Sequence, residues 1–326
     1  MEINNLWNDK KIYITGATGL VGSNLVDRFL KLGADVYVLI LDKPEDSELV
    51  LSKNIDKIEV FFGDLSNMEI VHKSILYSKA EYIFHLGAQT IVSQAFNDPE
   101  ETFKTNILGT WNVLEAVRKQ PKYIKGVVVA SSDKAYGNSD NLPYLETHPV
   151  QGIAPYDVSK SCTDLIARSY AKTYNLPISI ARCANIYGPG DTNWSRIVPG
   201  TFKSIFIEKT IPILRSNGTF LRDYIYVQDV VDALLLLASS TSEIPIGSAY
   251  NFSTDRASTV MEIYEEICSA AIGKFIEPVI LDNVQHEIQE QHMNSRKAYE
   301  DLGWNAKTEL RLGLIKTADW YRSLSQ

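Results

Sequence analysis

Short apolar runs rich in β-branched residues recur along this chain, and stretches with helical spacing lie between them. The runs are KIYIT (11–15), DVYVLIL (35–41), IEVFF (58–62), YIFHL (82–86), GVVVASS (126–132), ISIARC (178–183) and AYNFS (249–253). A strand that is apolar throughout has no side fit for water, so both of its faces must be covered. Residues 20–32, 100–118 and 156–174 repeat apolar side chains at three and four, which predicts helices long enough to supply that cover. An alternation of this kind predicts an α/β chain built on a doubly wound parallel sheet.

The alternation weakens after residue 190, where GPGDTNW, VPGTF and SNGTF bring turn residues together. We therefore expect a Rossmann-like domain over residues 1–190, with 220–255 returning to it. A smaller, mostly helical and discontinuous substrate domain is expected over 191–326. With 40 acidic against 32 basic residues the net charge is −8, which argues against a nucleic-acid partner. An anionic ligand would need local donors. The three cysteines, Cys162, Cys183 and Cys268, form no C-x-x-C pair, and the five histidines show no metal-ligand spacing. We expect no metal and a reducing compartment. The start, MEINNLWNDKK, carries no apolar leader and no run reaches membrane-spanning length, so a cytoplasmic protein without a membrane partner is expected.

The first run leads directly into TGATGLVGSNL, where Gly16, Gly19 and Gly22 are spaced G-x-x-G-x-x-G ahead of a helix. Glycines there permit a tight turn and let the backbone N–H groups of Thr18, Gly19, Leu20, Val21 and Gly22 approach a pyrophosphate. Asp42 ends the second run about 20 residues after the last glycine, where a carboxylate accepts hydrogen bonds from ribose hydroxyls. A carboxylate repels a 2′-phosphate, so NAD is preferred to NADP, although Lys43 is adjacent. Asp64 and Leu65 in GDLSN either border the adenine or cap a helix started by Asp64 or Ser66.

APYDVSK places Tyr156 and Lys160 four apart, on one helix face. A nearby ammonium favours phenolate over phenol and would lower the tyrosine's pKa. GVVVASSDKAYGN raises a separate question. Asp133 and Lys134 are either a solvated strand end or a working acid and base.

Taken in order, TGATGLVGSNL, GDLSN, HLGAQ, TNILGT, SSDKAYG, YDVSK, RCANIYGPGD, RDYIYVQD and LGW cover nearly the whole chain. They make it resemble the extended short-chain dehydrogenase/reductases, specifically the nucleotide-sugar epimerases and dehydratases. The resemblance implies that Tyr156 removes the hydroxyl proton as hydride leaves sugar carbon-4. It also implies that Lys160 orients the nicotinamide ribose and that Ser132 shares the substrate hydroxyl. Leu86, Ala88 and Asn106 are implied at the cofactor, and Gln89 and Asn185 at the substrate. The helices around 100–118 and 156–174 resemble those that pair in family homodimers.

Epimerases of this family need only Ser132, Tyr156 and Lys160. Dehydratases also need a base for the carbon-5 proton and an acid for the departing hydroxyl, commonly Asp-Glu. Asp133-Lys134 departs from that pattern and is instead similar to the CDP-glucose 4,6-dehydratases, as are HLGAQTIVSQAFNDPEETFKTNILGTWNVLEAV and NWSRIVPG. GNSDNLPYLETHP stands where that subgroup carries a longer insert, which leaves the base open. A nucleoside diphosphate sugar needs cationic anchors, for which Arg196, Arg222 and Arg296 are candidates. Trp194 either stacks on the base or fills the domain junction, and Arg182 is read as structural. The leading reading is a nucleotide-sugar 4,6-dehydratase. Only Asp133-Lys134 argues against a 4-epimerase, and intact Ser132, Tyr156 and Lys160 argue against a non-catalytic NAD-sensing protein.

Overall fold

Alternation within each strand decides which of two cores a side chain enters. The computed structural model describes residues 6–283 and 287–324; residues 1–5, part of the start expected to lack a leader, lie outside the described residues. In β1 (Lys11–Thr15), Ile12 and Ile14 enter one core and Tyr13 the other. β2 (Asp35–Ile40) divides Val36 and Val38 from Leu39, and β3 (Glu59–Phe62) closes that side of the sheet. β4 (Tyr82–His85) divides Tyr82 and Phe84 from Ile83. β5 (Gly126–Ser132) divides Val128 from Val127 and Val129, and β6 (Ile178–Cys183) divides Ala181 and Cys183 from Ile178 and Ile180. Each face is apolar because each has its own helical layer.

Further along the chain run β7 (Asn185–Tyr187), β8 (Ile213–Leu214), β9 (Leu221–Tyr226), β10 (Ala249–Phe252), β11 (Ala257–Thr259), β12 (Val279–Ile280) and β13 (Glu290–Gln291). The large sheet has the order β10-β6-β5-β4-β1-β2-β3, parallel throughout. The chain runs outward from β1 to β3 and then crosses to β4 on the other side of β1. That reversal opens a crevice above the carboxyl ends of β1 and β4. Gly16 lies there with φ +74°, and a Cβ on it would stand 2.7 Å from the backbone nitrogen of Gly87, beyond β4. A Cβ on Gly22 would stand 2.1 Å from the Gly16 carbonyl oxygen. Both glycines are demanded by backbone packing.

The stretch 220–255 divides between two sheets. β10 and the helix Val227–Ser239 pack with the large sheet, whereas β9 lies at the centre of a four-stranded sheet with β7, β11 and β13. β8 and β12 form a further pair. The expectation of a mostly helical smaller domain named none of β7, β8, β11, β12 and β13, because pieces of two or three residues carry no period.

One buried charge pair ties the elements nearest the crevice. Arg182 of β6 and Asp164 of the helix Pro155–Tyr174 are both fully buried, joined by hydrogen bonds of 2.7 and 2.9 Å. The guanidinium also donates to the Tyr136 hydroxyl at 2.8 Å, and Tyr136 stacks on Tyr144. Removing one partner leaves the other charged and unpaired in the interior. Arg182→Met should lower the unfolding free energy by about 3–5 kcal/mol in urea titrations, and the double variant Arg182→Met, Asp164→Leu should lose less.

Candidate active site

β5 ends in an extended Ser132, whose hydroxyl accepts from the Lys134 N–H at 3.2 Å and donates to Asp133 Oδ1 at 2.7 Å. The cap turns residues 133–136 into a short 3₁₀ helix that Gly137 ends at φ +70°. This turn draws Asp133 inward, to 2% exposure, and its Oδ2 is buried without a hydrogen-bond partner among the described residues. The Lys134 ammonium donates to Gln291 Oε1 at 2.5 Å and, among the described residues, makes no ion pair within 4 Å. Burial pushes the Asp133 carboxyl up, against the opposing pull of Lys134. Burial pushes the Lys134 amine down, and the neighbouring Arg222 charge adds to that. Both groups are driven towards their uncharged forms. A solvated strand end would show neither shift.

The helix Pro155–Tyr174 begins with Pro155 in its first turn, where no N–H is needed, and presents Tyr156 and Lys160 on its buried face. Burial holds the Tyr156 phenol above its ordinary range, opposed chiefly by the Arg196 charge and also by hydrogen bonding with Ser132. The expected lowering by Lys160 is therefore not what this geometry gives. The Lys160 amine donates to the Ala130 carbonyl at 3.1 Å, and burial lowers its pKa to about 8. Arg196 is the cation that acts on the phenol.

Two positioning groups hold this helix. Asn106 lies in a π-helical turn, Lys104–Leu108, a widened turn of the kind that re-aims side chains. Its amide donates to Ser159 Oγ at 2.8 Å and to the Gln89 carbonyl at 3.0 Å, and its oxygen accepts from the Gln89 N–H at 2.7 Å. The structure thus gives Asn106 to the backbone after β4 and to the tyrosine helix. His85, held neutral by burial with its pKa near 3, bridges Thr15 Oγ1 at 2.8 Å and Thr110 Oγ1 at 2.9 Å. Thr110 donates onward to the Asn106 carbonyl, which assigns the His85 proton to Nε2 and leaves Nδ1 to accept from Thr15.

The nucleotide end is built mainly from backbone. Gly19 caps the helix Leu20–Lys31 without a side chain, and a Cβ added to it would find its nearest neighbour 3.5 Å away. Space is left where a phosphate oxygen would approach the first-turn N–H groups. Leu20 and Val21 send their side chains into apolar clusters, leaving their backbone to the ligand. The Thr18 carbonyl accepts from Ser47 Oγ at 2.8 Å, which braces the loop. Asp42 is exposed just past the end of β2. Asp64 accepts from the Ser66 N–H at 2.7 Å within a turn, while Asn67 caps the helix Met68–Ser78, so neither Asp64 nor Ser66 is the cap. Leu65 packs beside Gly87 and Gly109, and Leu86, Ala88 and Gln89 follow β4 along the partly buried crevice. These features fit a dinucleotide.

On the substrate side, Arg222 of β9 is 6% exposed and held by the carbonyls of Leu221 and Gln289 and by Glu287. Asn185 donates to the Asp223 carbonyl at 3.1 Å, on the strand that bears Arg222. Arg196 pairs with the buried Asp191 at 3.1 Å. Trp194 packs against Tyr321 with Lys203 over its ring, within the core of the C-terminal helices. Arg296 stands outside this cluster. Its side chain is 78% exposed and paired with Glu300 on its own helix, Arg296–Leu302.

Two residues escaped the sequence reading. Asp157, next to Tyr156, is 7% exposed, and burial raises its carboxyl to about 6, with Lys134 opposing. Gln291 reaches Lys134 from a strand of two residues. Asp157 was signalled only by its adjacency to Tyr156, and Gln291 by nothing local.

The family model described as GDP-mannose 4,6 dehydratase matches residues 13–317. The chain is similar to the trifunctional UDP-glucose 4,6-dehydratase/UDP-4-keto-6-deoxy-D-glucose 3,5-epimerase/UDP-4-keto-L-rhamnose-reductase of Arabidopsis thaliana, 29% identical over 97% of this chain and 47% of that protein. It thus spans about half the length of that relative. It is also similar to CDP-glucose 4,6-dehydratase of Salmonella typhimurium, 28% identical over 98% of this chain and 92% of that protein. Among solved structures, a Thermotoga maritima UDP-glucose 4-epimerase with UDP-glucose superposes with a TM-score of 0.86 at 28% identity, covering 97% of this chain and 99% of that one. A Bacillus anthracis dTDP-glucose 4,6-dehydratase in complex with NAD gives 0.82 at 27% identity, covering 96% and 97%.

The Asp157 shift has a stability consequence of defined sign. Its folded pKa lies above the unfolded value, so it costs nothing below about pH 4 and its cost is complete above about pH 6. Two pKa units correspond to about 3 kcal/mol, from which the helix N-terminus returns up to about 1 kcal/mol by favouring the carboxylate. Asp157→Asn should therefore stabilise the protein by about 2–3 kcal/mol at pH 7 and leave it unchanged at pH 4. Urea unfolding at the two pH values measures this.

Proposed function

Because the chain belongs to the nucleotide-sugar dehydratase and epimerase family, we propose that it is an NAD-dependent nucleotide-sugar 4,6-dehydratase, with CDP-glucose the first substrate to test. The observation that carries this reading is the buried Asp133-Lys134 pair, each member driven towards its uncharged form. An uncharged carboxyl is a proton donor and an uncharged amine is a proton acceptor. Elimination of water across sugar carbons 5 and 6 needs one of each.

Bound NAD supplies the acceptor for the carbon-4 hydride and its donor to carbon-6, so the cofactor is regenerated within each turnover. Tyr156 takes the proton of the carbon-4 hydroxyl, with Ser132 sharing that hydroxyl and the Arg196 charge offsetting part of the desolvation. The Lys134 amine takes the carbon-5 proton and, as the ammonium, returns it to carbon-5 when hydride is added at carbon-6. Asp133 gives its proton to the carbon-6 hydroxyl, which leaves as water, and its partnerless Oδ2 is the atom free to do so. Gly16, Gly19, Gly22 and Asp42 hold the dinucleotide, and Lys160 orients its nicotinamide ribose. Arg222, Arg196 and Asn185 hold the substrate diphosphate, and residues 191–326 form most of the sugar-nucleotide domain.

A second reading is a nucleotide-sugar 4-epimerase, favoured by the sufficiency of Ser132, Tyr156 and Lys160 for that reaction and by the likeness to the Thermotoga enzyme. Product mass separates the two, since a dehydratase product has lost one water and an epimer has lost none. Among the described residues no helix is long and apolar enough to cross a membrane. We place the protein in the cytoplasm as a homodimer. The supporting feature is an apolar groove of about 480 Å³ beside exposed Phe103 and Trp111, on the helices expected to pair.

Two measurements test these proposals. Asp133→Asn and Lys134→Met should each still reduce bound NAD on adding CDP-glucose, seen as nicotinamide absorbance, while product falls by roughly 100-fold or more. Tyr156→Phe should abolish both signals, and normal turnover by the Asp133 and Lys134 variants would favour the epimerase. Sedimentation at micromolar concentration should give a dimer for the wild type and a monomer for Trp111→Glu.

A further inference from the structure

β13 is two residues long, yet it carries a fully buried side chain into the acid–base pair. Parallel pairing with β9 sets Gln291 level with Arg222 and directs its amide to the turn after β5, 157 residues earlier in the chain. Its Oε1 accepts from the Lys134 amine, whereas its Nε2 is buried without a hydrogen-bond partner among the described residues. Buried amide donors are seldom left unpaired, so an unused donor beside a lysine requires a reason.

The reason lies in what a lysine base must do. As an ammonium it has only N–H groups to donate, and as an amine it also has a lone pair that accepts. A carboxylate partner would favour the ammonium alone, and an apolar partner would leave the ammonium unpaired. A primary amide carries an acceptor and a donor on one rotatable group and has no charge. We propose that Gln291 is the positioning residue for Lys134, its Oε1 facing the ammonium and its Nε2, after a half turn of the amide, facing the amine. This rests on the dehydratase reading for the purpose of the proton transfer, but not for the contact itself.

The other groups acting on Lys134 come from every side. Arg222 on β9 disfavours the ammonium, while adjacent Asp133, Asp157 on the tyrosine helix and Glu287 ahead of β13 favour it. A neutral partner leaves that balance undisturbed, which a charged one would not.

The test follows the Lys134 titration directly. Holoenzyme labelled with ¹³C at lysine Cε is titrated by NMR, and Lys134→Met identifies the signal by its loss. The wild-type midpoint should lie below the ordinary lysine value of about 10.4. Gln291→Glu should raise that midpoint by about one unit or more and shift the pH profile of product formation the same way. Gln291→Met should slow product formation about tenfold or more while substrate still reduces bound NAD. A Lys134 midpoint that is the same in wild type and Gln291→Glu would overturn the proposal. So would an unchanged rate and pH profile in Gln291→Met. If that variant fails to fold, the Gln291→Glu titration decides. Titration needs no turnover, so a product of unchanged mass would overturn the dehydratase reading alone.

Discussion

Desolvation at the end of β5 is the constraint on which the dehydratase reading proposed above depends. An ammonium beside a carboxylate and an amine beside a carboxylic acid contain the same number of protons. In water the charged arrangement wins by about 6.5 pKa units, or about 9 kcal/mol, from the ordinary values of the two side chains. An acid and a base that must exchange protons with a sugar work only where that gap is narrowed. Burial narrows it from both ends at Asp133 and Lys134, whereas the Arg222 charge lowers both groups. Ser132 holds the Asp133 carboxyl through Oδ1, and Oδ2 has no hydrogen-bond partner among the described residues. The same dryness raises the Tyr156 phenol, against the opposing field of Arg196.

The fold supplies dryness and alignment together. Parallel strands end on one edge of the sheet, so Gly16 after β1, Leu86 after β4 and Ser132 at the end of β5 share one crevice. A nearly continuous run of hydrogen bonds then crosses from the nucleotide end to the tyrosine helix. The Gly87 N–H donates to Thr15, Thr15 bonds His85, His85 bonds Thr110, Thr110 meets the Asn106 carbonyl, and the Asn106 amide meets Ser159. Beyond it, Arg182 and Asp164 fix the middle of that helix to β6. Every link from Thr15 onward is buried, where an unmade hydrogen bond is costly. The helix bearing Tyr156 and Lys160 is thereby held in register with the glycine loop after β1.

What could be read from residues alone follows the range over which each signal acts. The large sheet was legible because its strands are apolar on both faces and its helices span several turns. The glycine loop was legible because Gly16 and Gly22 answer to steric demands that no other residue meets. Asp133 and Lys134 were legible as a pair, and burial shows what their adjacency could not, that the turn is not a solvated strand end. The smaller sheet was not legible, since β7, β11 and β13 are two or three residues long and exist by pairing with β9. Charge alone misplaced Arg296, which pairs with Glu300 on its own helix and turns to solvent. The environment of Tyr156 was misjudged for a related reason. Spacing puts Lys160 on the same face, but the direction of its amine is decided by the Ala130 carbonyl.

The division between epimerase and dehydratase on this fold then comes down to a narrow set of atoms. Ser132, Tyr156 and Lys160 belong to the sheet and its helix, and under either proposal they would serve oxidation at carbon-4. The additional pair sits on the same turn, only one and two residues further on. A turn that short cannot by itself exclude water from both side chains. The cover comes from the C-terminal part of the chain, where β9 brings Arg222 and β13 brings Gln291 over Lys134. Changing Asp133 and Lys134 on an epimerase without that cover would install an ion pair in solvent, with its full ordinary gap between the two pKa values. On the dehydratase reading proposed above, the reaction type would lie in two residues of the turn after β5 and depend on strands of the smaller sheet to cover them. Differences confined to a site in this way let one sheet and one tyrosine helix host different chemistries.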